Sequence, residues 1–205
     1  MEQALTSLGH TDINGFRDWY FGRVGMAGLD SCVYCVEHFG LALEPRVIYD
    51  LTEKIRREVI SLQPAPIITT TITFMQQVFD KNIKIGVASS DFPDNIRKHL
   101  EQANALRYVK AMTSGEKHSG EVTKDKPDPE VYLVTAKKLG VEPRNCIGVE
   151  DTSPGIAAVK SAGMFCIAYK NPLSGKQDYS AADLVADDLS LIRVSDLQNR
   201  FSVGL

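Results

Sequence analysis

Long apolar runs are absent from this chain. None reaches the roughly 18 residues that a membrane-spanning helix needs, and Met1 to His10 has neither the basic start nor the apolar stretch of a secretory leader. An excess of basic residues is absent too. With 23 Lys and Arg against 26 Asp and Glu, the net charge is -3, which provides no general attraction to DNA, RNA or an acidic membrane surface. Any anion must therefore be held locally. Cysteine is scarce, at four residues. They include one CxxC, Cys32-Val-Tyr-Cys35, with His38 three positions on but no second close pair to complete a zinc site. Cys32, Cys35 and Cys166 therefore read as small buried hydrophobes in a reducing compartment. The expectation is a cytoplasmic protein with no nucleic-acid and no membrane partner.

What is present is ordinary for a globular chain: 205 residues, 43% hydrophobic and 24% charged, enough for one domain of common size and a smaller one. Two textures divide it. From about residue 12 to 62 only helical signals occur: GFRDWYFGRV, then LDSCVYCVEHFG ended by Gly40, then PRVIYDLTEKIRREVISL opened by Pro45. In the last, Ile48, Leu51, Ile55, Val59 and Leu62 recur at helical spacing. QPAP at 63 to 66 breaks the pattern, which places a helical domain at 1–64 and a second domain at 65–205. The segment 67–81 is rich in β-branched residues, yet Ile68, Ile72, Met75 and Phe79 share one helical face, so a helix is expected there. Beyond it, strands and helices alternate. IKIGVAS at 83–89, VKAMTS at 109–114, CIGV at 146–149 and MFCIAY at 164–169 read as strands. Helices open at Asp128-Pro129 and Ser153-Pro154, each as an N-cap followed by Pro at the first helical position. DLVADDLSLI supplies a short strand and a last helix. This alternation predicts an α/β fold, a parallel sheet with helices on both faces.

In open parallel sheets, ligands bind beyond the carboxyl ends of the strands. Ser89 and Ser90 follow the first strand and precede Asp91 and a helix; hydroxyls and free N–H groups there can hold a phosphate oxygen, although Ser90 or Asp91 could serve only as a cap. Lys126, in KDKPDPEVY, could neutralise that anion. A solvated loop lysine is the plainer reading, and Lys124 competes for the role. Glu150 and Asp151 are adjacent carboxylates at a strand end. Like charges this close call for a cation, and hard oxygens suit Mg²⁺, unless Asp151 is merely an early helix charge favoured by the dipole.

VASSD, DKPDPEVY and GVEDTSPGIAAVKSAG together resemble the second, third and fourth motifs of the haloacid dehalogenase superfamily, in its branch of phosphatases and β-phosphoglucomutase-like enzymes. The resemblance covers nearly the whole chain and implies a Rossmann-like core with an inserted helical cap. It implies that Ser89 binds the transferring phosphoryl group, that Lys126 bridges it to a nucleophile, and that Glu150 and Asp151 anchor Mg²⁺. The implied activity is hydrolysis of a small phosphorylated metabolite through an aspartyl-phosphate. A mutase is the enzymatic rival, but Val24 to Ser31, VGMAGLDS, lacks the basic residues such caps use to grip a second phosphate, with only Arg23 beside it. A phospho-receiver domain would leave the helical first third unexplained.

One motif departs. The family's first motif, a DxD whose leading Asp is the nucleophile and whose second Asp is the acid and base, does not occur: Asp12, Asp18 and Asp30 stand singly. The expectation is that the first core strand, the DxD and the start of the cap are missing. That strand would lie mid-sheet, so its neighbours would either face a gap about 10 Å wide or pair directly. Bare edges would invite self-association, and the chain would have little or no phosphatase activity, whether as an incomplete enzyme or as a non-catalytic binding module.

Overall fold

The computed structural model describes residues 1–11, 13–21, 28–62, 66–116 and 119–202. The chain opens with helices: α1 (Glu2–Ser7), α2 (Phe16–Phe21), α3 (Gly28–Phe39) and α4 (Pro45–Leu62). Leu5, Phe16, Trp19, Cys32, Cys35, Ile48 and Tyr49 close a core of their own among them. The α1 turn falls outside the segments read as helical, and Val59, on the expected apolar stripe of α4, is 48% exposed. The buried part of α4 is Ile48, from that stripe, with Tyr49, and the helix packs on α3 and α1. Residues 63–65, where QPAP marks the domain boundary, lie outside the described residues, as do Asp12, Arg23 and residues 24–27.

The α/β part follows: α5 (Thr69–Asp80), β1 (Ile85–Ser89), α6 (Pro93–Gln102), β2 (Val109–Ser114), α7 (Glu130–Leu139), β3 (Ile147–Glu150), α8 (Ser153–Ser161), β4 (Phe165–Tyr169), β5 (Leu184–Ala186) and α9 (Val194–Ser202). The ambiguous segment at 67–81 is helical. Its Phe74 is buried with Ile167, Leu189, Val194 and Leu197 on one face of the strands. The other face carries α7 and α8, whose Val131, Ala136, Ile156 and Val159 pack with Cys166 and Ala168 of β4. Alternate residues of β4 thus serve opposite layers, and the strand reads as a continuous apolar run for that reason. Gly148 lets α8 approach closely, since a Cβ there would lie 2.5 Å from Val159.

Two helix starts differ from expectation by one residue. α8 is capped by Thr152, whose hydroxyl accepts from Gly155 N–H at 3.2 Å, so Ser153 is inside the helix. α7 begins at Glu130, and Asp128 satisfies its first N–H at 3.0 Å from two residues upstream. In both cases the side chain nearest the open N–H groups supplies the cap, whatever its place relative to the proline.

The strands form two parallel sheets, β1–β2 and β3–β4–β5, with Ser89 opposite Ser114 and Glu150 opposite Ala168. Between the described residues of β1 and β3 no ladder forms. The two sheets are thus separate, and a cavity of about 700 Å³ opens beyond the ends of β1 and β3.

Candidate active site at the divided strand ends

The cavity is lined from the β1 side by Ala88, Ser89, Ser90 and Asp91, from the β3 side by Val149, Glu150, Asp151 and Thr152, and from α4 by Tyr49, Glu53 and Arg56. Lys126 joins the two sides. Its Nζ donates to the Ala88 carbonyl at 3.4 Å and to Glu150 Oε1 at 2.5 Å, and both charged side chains are over 90% buried. All five residues singled out as site candidates therefore border one space. Lys124 does not: it is 70% exposed and pairs with Asp128 at 3.3 Å. The reason is local, since Lys126 precedes the turn into α7 and is carried under the strand ends, while Lys124 remains on the loop surface.

Ser89 Oγ accepts from Asp91 N–H at 3.2 Å, and the Ser89 carbonyl accepts from Gly115 N–H at 2.6 Å. These bonds turn the chain sharply after β1 and keep the hydroxyl at the cavity wall. Neither Ser90 nor Asp91 caps α6, whose N-cap is Phe92. Asp91 instead accepts from Phe92 N–H and Asn95 Nδ2, both at 2.8 Å, and from the Arg56 guanidinium at 3.2 and 3.3 Å. Arg56 is shared with Glu53 at 2.7 Å, so one guanidinium serves two carboxylates and ties α4 to the β1 end.

The acidic pair is divided by its surroundings. Asp151 accepts from Asn171 Nδ2 at 2.8 Å and Ser174 Oγ at 2.6 Å, in the loop after β4. Glu150 turns inward. Oε1 takes Lys126 and the Tyr132 hydroxyl; Oε2 takes Thr152 Oγ1 and Asp151 N–H, each at 3.3 Å. Burial first, and then the neighbouring Glu150 carboxylate, push the Tyr132 phenol well above its ordinary value, so it remains a donor to that carboxylate. Among the described residues no group of three or more His, Cys, Asp or Glu converges as a metal site. With Glu150 engaged on both oxygens, the residues as placed do not assemble a two-carboxylate Mg²⁺ shell. The CxxC cysteines are buried in the helical core, where burial raises Cys32 to about 12 and Cys35 to about 11; they behave as apolar side chains.

Sequence reasoning missed Arg56, Tyr132, Asn171 and Ser174. Each lies well along the chain from the strand end it serves; Tyr132 closes the DKPDPEVY motif, which is the signal that could have found it, and the other three stand in no pattern of their own.

The chain resembles known proteins in sequence and in fold. The profile of the haloacid dehalogenase-like hydrolases matches residues 31–163. A β-phosphoglucomutase of Bacillus subtilis is 36% identical over 114 residues, 56% of this chain and 46% of that protein. A putative phosphatase of the same organism, YhcW, is 34% identical over 102 residues, 50% of this chain and 44% of its own. The chain thus spans less than half the length of these relatives. The crystal structure of a β-phosphoglucomutase from Clostridium difficile superposes with a TM-score of 0.78 over 98% of this chain and 87% of that one, at 24% identity, which speaks to the fold.

Proposed function

The chain belongs to the haloacid dehalogenase-like hydrolase family, and from that membership we propose that the cavity between β1 and β3 is the phosphoryl-binding part of a phosphatase site for a small phosphorylated metabolite. The observation that carries this reading is Lys126, a buried cation placed between the end of β1 with its Ser89 hydroxyl and the end of β3. Ser89 and Ser90 would hold phosphoryl oxygens, and Lys126 would balance their charge. A volume of about 700 Å³ suits a small ligand.

Turnover is a separate matter. An aspartyl-phosphate needs a carboxylate that can attack, and no DxD occurs in the chain. Around the cavity, Glu53 and Asp91 are held by Arg56, Glu150 by Lys126, and Asp151 by Asn171 and Ser174; the remaining lining carboxylate, Glu116, is buried and stands in no DxD. These 205 residues are therefore proposed to bind phosphate without hydrolysing it. Phosphatases of the family generally use Mg²⁺, but the placed residues give no step that could be routed through one. The phosphatase reading is preferred to a mutase because Arg56 is the cap's one cation among the described cavity residues, and it is already shared between two carboxylates.

The test is calorimetric titration with inorganic phosphate beside a p-nitrophenyl phosphate assay. Wild type should bind phosphate, Lys126→Ala should weaken binding about tenfold or more, and hydrolysis should stay at the blank. Mg²⁺-dependent hydrolysis by a monomeric preparation would overturn binding without turnover; equal phosphate affinity in the Lys126 variant would overturn the site.

A further inference from the structure

The surroundings of Glu150 are built for a carboxylate that faces inward. Lys126 and Tyr132 converge on one of its oxygens, Thr152 Oγ1 and the Asp151 N–H on the other, and Lys126 Nζ lies 5.1 Å from the centre of the Tyr132 ring. Gly155, in the first turn of α8, completes the niche: a Cβ there would fall within the Glu150 carboxylate. Gly155 has an ordinary negative φ, so backbone freedom does not explain it; the room left for the carboxylate does. Five residues from three stretches of the chain thus shape one position.

From this we infer that Glu150 is the resident counter-ion of Lys126 and not a cation ligand. Two consequences follow. A divalent cation at the strand ends draws on Asp151 and not on Glu150. An oxyanion reaching Lys126 must compete with Glu150 for the same ammonium, so the carboxylate sets a threshold for anion binding. A buried ammonium without a partner would be strongly disfavoured, and Glu150 supplies that partner while the cavity holds no anion. The anion consequence rests on the reading of Lys126 as the phosphate-binding residue; the cation consequence does not.

Two measurements test this. The first uses wild type with ¹³C-labelled carboxyl groups, titrated with Mg²⁺ and followed by carboxyl chemical shift. A shift at Asp151 alone, or at neither residue, is the expected result. A shift at Glu150 that saturates with that of Asp151 overturns the assignment, and phosphate does not enter into it. The second compares inorganic phosphate affinity in wild type and Glu150→Gln, with fold checked by circular dichroism. Removing one negative charge within about 4 Å of the anion should tighten binding about tenfold. Unchanged or weaker binding in folded Glu150→Gln overturns the counter-ion role. If Glu150→Gln fails to fold, Gly155→Ala, which crowds the carboxylate out of its niche, should tighten phosphate in the same direction, and weaker binding there counts against the proposal. Absence of phosphate binding in every variant would overturn the reading of Lys126 and with it the anion consequence, while the Mg²⁺ titration still judges Glu150.

Discussion

β4, at Phe165–Tyr169, and β1, at Ile85–Ser89, are apolar strands of equal length, and both lie between helical layers. In β4, Cys166, Ile167 and Ala168 are fully buried; in β1 every residue is half-buried. Composition does not separate them. β4 is paired on both sides, with β3 and β5, whereas among the described strands β1 is paired only with β2, and its last residues, Ala88 and Ser89, border the cavity. A strand inside a parallel sheet owes its burial as much to its lateral neighbours as to the helices above and below. This difference also locates the chemistry, because the open edge gives Ser89, Lys126 and Glu150 a common space.

The sharpest way to break the comparison is to truncate one side chain in each strand. Ile167→Ala should cost about 2–5 kcal/mol, since its surroundings are closed on every side. Val87→Ala, beside an open edge, should cost about 1 kcal/mol or less. Urea unfolding of the two variants measures both values, and equal losses would mean that the division between the sheets closes in solution.

The comparison also marks how far the sequence could be read. β2 was legible residue for residue from VKAMTS, and the helix at 69–80 from its helical spacing, because both signals are local, although its buried face centres on Phe74 and the expected Phe79 is 47% exposed. The motifs at 89, 126 and 150–151 were legible as a set, since each ends a strand or enters a helix where a parallel sheet puts its ligands. The half-burial of β1 had no signal in its own residues, because IKIGVAS looks the same whether a strand is paired on one side or on two. The inward turn of Glu150 had no local signal either. It depends on Tyr132 and Gly155, whose separation along the chain carries no period.

A second effect should appear in the β3–β4–β5 half only. Burial raises the Cys166 thiol from 9.0 to about 12, and β1 and β2 contain no thiol. In the unfolded chain this group ionises first, so its contribution to stability is complete below about pH 9 and is lost as pH rises toward 12. The loss is at most about 1.4 kcal/mol per pH unit. Cys166→Ala should flatten the alkaline fall of the unfolding midpoint between pH 9 and 10.5, leaving the part due to Cys32, Cys35, Cys146 and the buried phenols. An unchanged slope would assign the alkaline response to those other groups.

The helical layer at 28–62 and α2 meet the two halves through different chemistry. Arg56 reaches Asp91 on the β1 side, with side chains 30% and 23% exposed. On the β3 side Gln177 Nε2 donates to the Phe21 carbonyl at 2.7 Å and Gln177 Oε1 accepts from Ser153. Arg56→Ala should cost about 1 kcal/mol in low salt and less as salt screens the ion pair. Gln177→Ala should cost about the same with no salt dependence. Matching salt responses would remove the distinction.

The smallest effect on stability, and the most direct test of the open edge, concerns Val149. It lines the cavity and is 38% exposed, although it stands in a strand whose other side is paired. Unpaired N–H and C=O groups along such an edge are a template for another chain, so concentrated wild type should sediment partly as dimers or larger species. A lysine here adds charge beside the open ladder without removing a core contact. Val149→Lys should leave the unfolding free energy within about 0.5 kcal/mol and shift the sedimentation profile toward monomer. The same substitution cannot act through β4, which has no free edge. If association persists in Val149→Lys, the contact between chains lies elsewhere, and the open side of β3 is covered in solution by this chain's own residues.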